Sequence, residues 1–221
     1  VRSFGDEDFK MRRWAVWWEA KEQESMKKRP RGGAGDLQRA AAAMREFLAA
    51  LGVSAASCGM EETPARTAEL YAELFAGLRN DPAALWEETM TEDTAGLVAV
   101  RDIPFYSMCE HHLLPFFGTV DIVYRPQDGR VAGFGIFAQL AALYAARPQL
   151  QERLTAQIAD EIVRGLGAAG VLVVVRAQQL CMMMRGERAH GTQTVTAECR
   201  GAFRSDAAET AAAWQMLGVH E

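Results

Sequence analysis

The segment SMCEHHLLPFFG (residues 107–118) places Cys109, Glu110, His111 and His112 in a row, in a chain with only four cysteines and four histidines. A thiolate and an imidazole separated by two residues, as Cys109 and His112 are, can fold back on one metal ion. That donor pair favours zinc over magnesium or calcium. Cys181, at the end of the apolar run VLVVVRAQQL, is a third candidate ligand. Three protein ligands leave a fourth position for water, the arrangement of a catalytic rather than a structural zinc. His111 is then free to move protons. From composition alone, a buried thiol beside two surface histidines explains the same segment, and both readings stand at this point.

The elements that must position these groups belong to a chain of 221 residues, 49% hydrophobic, with a net charge of -5. That length buries roughly 70% of the unfolded surface, so neither disulfide nor metal is required to hold a core. The negative balance offers nothing to a phosphate backbone, which argues against nucleic acid. No apolar run approaches the length of a membrane span, and the start VRSFGDEDFKMRRW lacks a signal peptide's apolar core; a cytoplasmic location is expected. Cys58, Cys109, Cys181 and Cys199 are too widely spaced for a disulfide scaffold. Cys58 and Cys199 read as buried fillers.

Residues 1–34 differ from the rest and read as an appended arm. WAVWWEAKEQESMKK suits a short amphipathic helix that RPRGGAGD ends, and its tryptophans suit packing on a neighbouring surface. A helical region is expected over 35–95. LQRAAAAMREFLAALG has apolar residues at helical spacing with Gly52 as a stop, and a second helix starts near Thr63, where TPAR offers an N-cap and a first-turn proline. The catalytic domain is expected over 96–221. LVAVRDIPF, GTVDIVYRP, VLVVVRAQQLCMMMRG and TQTVTAECRGAF read as strands. AQLAALYAARP, LQERLTAQIADEIVRGLGAAG and a closing AAETAAAWQML read as helices. The order implies an α+β domain on a mainly antiparallel sheet. VLVVV is apolar enough to want a partner, so oligomerisation by edge pairing is expected.

Taken together, SMCEHHLLPFFG, Thr63-Pro64 with Arg66, RPQLQERLTAQIA, CMMMRG and TQTVT resemble GTP cyclohydrolase I, from about residue 36 to the C-terminus. The resemblance implies a tunnelling fold (T-fold): a four-stranded antiparallel sheet with helices on one side, plus N-terminal helices, assembled through sheet edges into a homodecamer, a toroid of two pentamers with sites between subunits. It also implies that Cys109, His112 and Cys181 hold Zn2+ and that His111 lies beside the purine. Glu152 would read the guanine edge, since a carboxylate accepts from the ring N–H and the exocyclic amine together. Gln151 would line the same pocket, and Arg66 and Arg185 would face phosphates. Glu152 and Arg153 also fit a plain solvated helix face.

Two departures from the family's pattern shape the functional expectation. Gln179 stands where the family carries a proton-transferring histidine, and glutamine cannot act as a general acid or base. In Gly133-Phe134-Gly135-Ile136 and at Gln139, the family's triphosphate-binding lysine and arginine are replaced by Ile136 and Gln139. The expectation is therefore a zinc-dependent cyclohydrolase that opens the imidazole ring, at C8, of a guanine-like purine with little or no phosphate. Its product would be a formamidopyrimidine or the deformylated compound. One alternative is an ordinary GTP cyclohydrolase I making 7,8-dihydroneopterin triphosphate, with cations such as Lys27, Lys28, Arg29 and Arg31 replacing the missing pair. Another is an inactive zinc-binding structural or regulatory homologue. The related nitrile-reducing branch is disfavoured because no matching cysteine motif is present. His190, in a turn after Arg185, reads as a solvent-exposed residue, and His220 as incidental.

Overall fold

The run VLVVV has no polar face, and the computed structural model gives it none to show. It lies in β6 (Gly170–Gln179), where Val171 through Val175 are all fully buried. Val171, Val173 and Val175 join the main core, while Leu172 and Val174 join a second one on the opposite face. A strand covered on both faces reads as an uninterrupted apolar run. β6 is flanked by β3 (Pro115–Arg125) and β7 (Thr194–Gly201), antiparallel to both. The expectation that VLVVV seeks a partner at an edge is thus corrected: its backbone groups already pair on both sides.

β3 also pairs with β2 (Val98–Cys109), whose outer edge takes β5 (Pro148–Gln149) in parallel through Met108↔Pro148 and Cys109↔Gln149. The sheet is therefore five-stranded and mixed, in the order β5-β2-β3-β6-β7, where a four-stranded antiparallel sheet was expected. A two-residue strand opening on proline is too short to show alternation. A separate ribbon pairs β1 (Thr89–Thr91) with β4 (Arg130–Ala132). Within β2 the register slips between Val100 and Ile103, and Asp102 is left-handed at φ 56°. The buried Asp121 accepts from the Asp102 amide at 2.7 Å and pairs with Arg176, so the bulge is held by a satisfied carboxylate.

Residues 36–218 are described, apart from 57, 58, 94, 95 and 187. The expectations for the arm, Cys58 and His220 lie outside the described residues. From Leu37 onward the described chain belongs to one compact unit. It opens with α1 (Leu37–Ala50), which has no buried residue, and α2 (Thr63–Leu74), which buries Pro64 and Ala68. Thr63 is the first helical residue of α2, and Glu62 takes the cap position without a side-chain bond, in place of the expected threonine cap.

The main core lies between the sheet and two helices, α3 (Phe134–Ala145) and α4 (Gln151–Leu166). α4 buries Leu154, Ile158, Ile162 and Leu166 at one-turn spacing and ends on Gly167, left-handed at φ 69°. The expectation of helices on one side is corrected by the C-terminus. α6 (Ala202–Ser205) and α7 (Ala207–Met216) supply Phe203 and Ala213 to the second core, against Val123, Leu172 and Val174. No described helix is long and apolar enough to cross a membrane.

Candidate metal centre and active site

β2 ends at Cys109 and β3 begins at Pro115, so the Cys-Glu-His-His segment forms the turn between them. The Cys109 amide donates to the Leu114 carbonyl at 2.9 Å, and the Leu113 amide to the Cys109 carbonyl at 2.8 Å. Leu113 takes the left-handed conformation, φ 52°, that lets the chain reverse. The strand expected to run through CMMMRG stops at Gln179, and Cys181 lies in a one-turn helix, α5 (Leu180–Met183). Phe116↔Gln179 pairs the start of β3 with the end of β6, so the turn and α5 emerge at the same end of the sheet.

There the ligand atoms of Cys109, His112 and Cys181 all lie within 4.8 Å of one another, with Cys109 buried, Cys181 half-buried and His112 exposed. Burial, and secondarily the adjacent Cys109 thiol, push the Cys181 thiol above its ordinary value. A bound dication reverses that preference, because it stabilises thiolate directly. Two thiols and an imidazole, open to solvent on the histidine side, fit a zinc ion with one position left over.

The surroundings bind this turn to the rest of the site. Arg185 Nη1 lies 2.8 Å from His112 Nε2. A guanidinium has no lone pair, so the ring nitrogen accepts. His111 is exposed, its ring 6.2 Å from that of His112 and steeply inclined to it, and stands outside the three-ligand group. Glu110 accepts a two-pronged contact from Arg153, at 2.5 and 3.1 Å. Hydrogen bonding from Arg153 holds the Glu110 carboxyl below its ordinary value, against a smaller desolvation effect. The Glu110 amide also donates to the Gln149 carbonyl at 3.0 Å. These contacts fasten the turn to the start of α4, where Glu152 stands exposed between Gln151 and Arg153. Arg153 is therefore a paired residue as well as a solvated one. Tyr71 of α2 donates to the Leu113 carbonyl at 3.3 Å. Arg66, exposed on the same helix, has no described side-chain contact with the turn.

Gln151 and Gln179 meet in a polar network that sequence reasoning did not foresee. Gln179 Nε2 donates to Gln151 Oε1 at 2.8 Å. Gln151, 5% exposed, donates in turn to the carbonyls of Val175 and Thr194 and to Thr196 Oγ1. Thr194 Oγ1 donates to Gln151 Oε1 at 2.6 Å, and Thr155 and Thr196 share a 2.6 Å contact. The available signal was Thr-x-Thr in TQTVT, which puts Thr194 and Thr196 on one face of β7.

The α3 positions do not join this group within one protomer. Phe137 packs on Tyr124 with ring centroids 5.3 Å apart. Tyr124 is nine residues (124 minus 115) beyond the start of β3, or about 30 Å along a strand. Ala145, at the other end of α3, is the residue that meets the metal end, accepting from Ser107 Oγ at 2.7 Å. Phe134 and Gln139 are exposed on the far side with Gly135, while Ile136 is half-buried against the main core.

Comparison with known proteins agrees with this geometry. The family model described as GTP cyclohydrolase I matches residues 40–218. The GTP cyclohydrolase 1 of Corynebacterium aurimucosum is 50% identical over 183 residues, covering 82% of this chain and 93% of its own. That of Mycobacterium ulcerans is 50% identical over 183 residues, covering 82% and 91%. That of Geobacillus kaustophilus is 49% identical over 165 residues, covering 75% and 88%. Among solved structures, the apo form of the archaeosine synthase QueF-Like superposes on 50% of this chain with a TM-score of 0.40 and 19% identity, too loose a likeness to argue from. The curated relatives overturn the expectation of a ring opener for a purine with little or no phosphate. Proteins half identical to this chain, along nearly their whole length, carry the name of the enzyme that takes GTP.

Proposed function

Because the chain belongs to the GTP cyclohydrolase I family, we propose that it converts GTP and water to 7,8-dihydroneopterin triphosphate and formate. The observation that carries this reading is the convergence of Cys109, His112 and Cys181 within 4.8 Å, in a chain half identical to enzymes of that name. These three residues hold a zinc ion, which when bound supplies Lewis acidity and lowers the pKa of water. Glu152, exposed at the N-terminus of α4, accepts from the guanine ring N–H and exocyclic amine, a bidentate contact that fixes the base. The Glu110–Arg153 fork keeps that helix end and the metal turn in register. His111, unpaired with the ligand group, moves protons at the purine ring. Arg185, beside His112, places a fixed positive charge where an anionic substrate approaches.

Gln179, Ile136 and Gln139 stand where the resemblance sets a histidine, a lysine and an arginine. Triphosphate binding then falls to Arg185 and Arg66, together with cations from a second copy. Such a copy is part of the proposal, because the start of α3 lies eleven residues, about 17 Å along the helix, from Ala145, where that helix meets the metal end of its own chain. A site that includes Phe134, Gly135, Ile136 and Gln139 is completed only between subunits, as in the toroidal decamer of tunnelling-fold subunits that the resemblance implies. A cytoplasmic location belongs to the same reading.

The test is product analysis by mass spectrometry after GTP is incubated with full-length, zinc-loaded protein. Dihydroneopterin triphosphate with equimolar formate is the expected result. Intact GTP, in the presence of protein that has taken up its metal, would overturn the proposal in favour of an inactive homologue.

A further inference from the structure

We propose that Gln179 is a fixed hydrogen-bond acceptor of the active site, oriented by Gln151 so that its carbonyl oxygen is left free for a water or a substrate N–H or O–H. The lock can be read without knowing where any hydrogen was placed. Gln151 lies within 3.0 and 3.1 Å of two backbone carbonyls, those of Val175 and Thr194. Carbonyls only accept, so the NH2 end of Gln151 must face them. Its oxygen therefore faces the other way, towards Gln179 and Thr194.

That orientation fixes the next two groups. Thr194 Oγ1 is 2.6 Å from the Gln151 oxygen and 3.1 Å from the Ala177 carbonyl. A hydroxyl has one proton, and two oxygens at 2.6 Å without a proton between them would repel, so the proton goes to Gln151. Gln179, 2.8 Å from the same oxygen, must then present its NH2 group to it. Thr194 Oγ1, 3.5 Å from the same nitrogen, lies in nearly the same direction and at most shares that N–H. The NH2 end of Gln179 is thus turned to the network through one N–H, and among the described hydrogen bonds its oxygen takes part in none.

Its place in the chain makes this matter. Gln179 is the last residue of β6, directly before the turn of helix that carries Cys181. Gln151 opens the helix that carries Glu152. The amide pair thus bridges the metal end and the base-reading end of the site, and Gln151 is a positioning residue that acts through Gln179. A side chain with no proton to give can still hold a water or a substrate hydroxyl in one orientation, and a wall acceptor that does not titrate keeps that grip at every pH. What the acceptor meets depends on the proposed function; the lock itself does not.

Two measurements separate the inference from that reading. In steady-state kinetics on GTP, Gln179→Met keeps the length of the side chain but removes the acceptor, and kcat falls about 10- to 100-fold with little change in KM. Gln151→Met, which removes the oxygen that holds the Gln179 NH2 group, moves kcat in the same direction by less. Wild-type kcat in Gln179→Met would overturn the inference while leaving the proposed function standing. Independently of turnover, 15N-resolved exchange of the Gln179 side-chain amide should be slowed in the wild type and accelerated in Gln151→Met. Equal exchange in the two proteins overturns the inference; a wild type that leaves GTP untouched while showing the slowed exchange overturns only the proposed function.

Discussion

Two of the polar groups that helix α4 carries into the protein lie ten residues apart and end in opposite ways. Glu161 is 4% exposed and saturated. Its oxygens accept from Trp86 Nε1 at 2.7 Å, from the Tyr144 hydroxyl at 3.1 Å, and from Arg164 at 2.7 and 3.0 Å. Trp86 lies so close over Gly165 that a Cβ there would meet its indole at 2.1 Å. Burial and then the Glu161 charge push the Tyr144 hydroxyl up to about 12, so it stays a donor at any ordinary pH. Gln151, at the other end, is as well bonded but neutral, and the chain of bonds it begins ends at Gln179, two residues before Cys181. A buried charge closed on every side serves the fold, whereas a neutral network with one open acceptor serves a site.

The largest effect expected from this contrast lies at the open end. Cys181→Ala removes a metal ligand, and zinc content and GTP turnover should be lost together, turnover by at least about 1000-fold. The closed end is untouched, so the urea midpoint of the metal-free proteins should barely move. Parallel loss of zinc binding and of metal-free stability would break the comparison. Glu161→Ala is the reverse experiment. It strands the indole N–H and the tyrosine hydroxyl and should cost about 3 kcal/mol in urea unfolding, while the folded protein still takes up zinc. A neutral Glu161→Ala would mean that the closed cluster holds nothing.

Arg153→Met tests the ground between the two ends and should have the smallest effect. Arg153 holds the Glu110 carboxyl below its ordinary 4.5, so the pair stabilises the folded state above that pH and the contribution disappears as pH falls through the depressed value. Wild type and Arg153→Met should therefore differ slightly in stability at pH 7 and converge in acid. A gap that persists or widens in acid would assign Arg153 a role other than pairing with Glu110.

The sequence displayed the parts whose signal is local. Cys109 and His112 share one turn, so their spacing alone suggests a metal, and the apolar spacing of α4 marks a buried helix face. Cys181 was visible only as a candidate, because nothing in LCMMM announces that the strand gives way to a helical turn. β5 escaped because two residues cannot alternate. The amide network escaped for a different reason: the strand partners of Gln151 lie 24 to 45 residues from it, joined only by the register of β6 with β7 and the placement of α4 across them. Glu161 sits in ADEIVRG, which reads as an ordinary charged helix stretch until Trp86, 75 residues earlier, is folded against it. The weight placed on Ile136 and Gln139 led to the wrong substrate, because proteins half identical to this chain carry the name of the enzyme that takes GTP.

The most direct measurement follows a single carbon. GTP labelled with 13C at C8, mixed with zinc-loaded protein and observed by 13C NMR, should show the purine resonance replaced by that of formate while an unlabelled pterin accumulates. A label that stays in the purine ring, with zinc bound, would contradict the account.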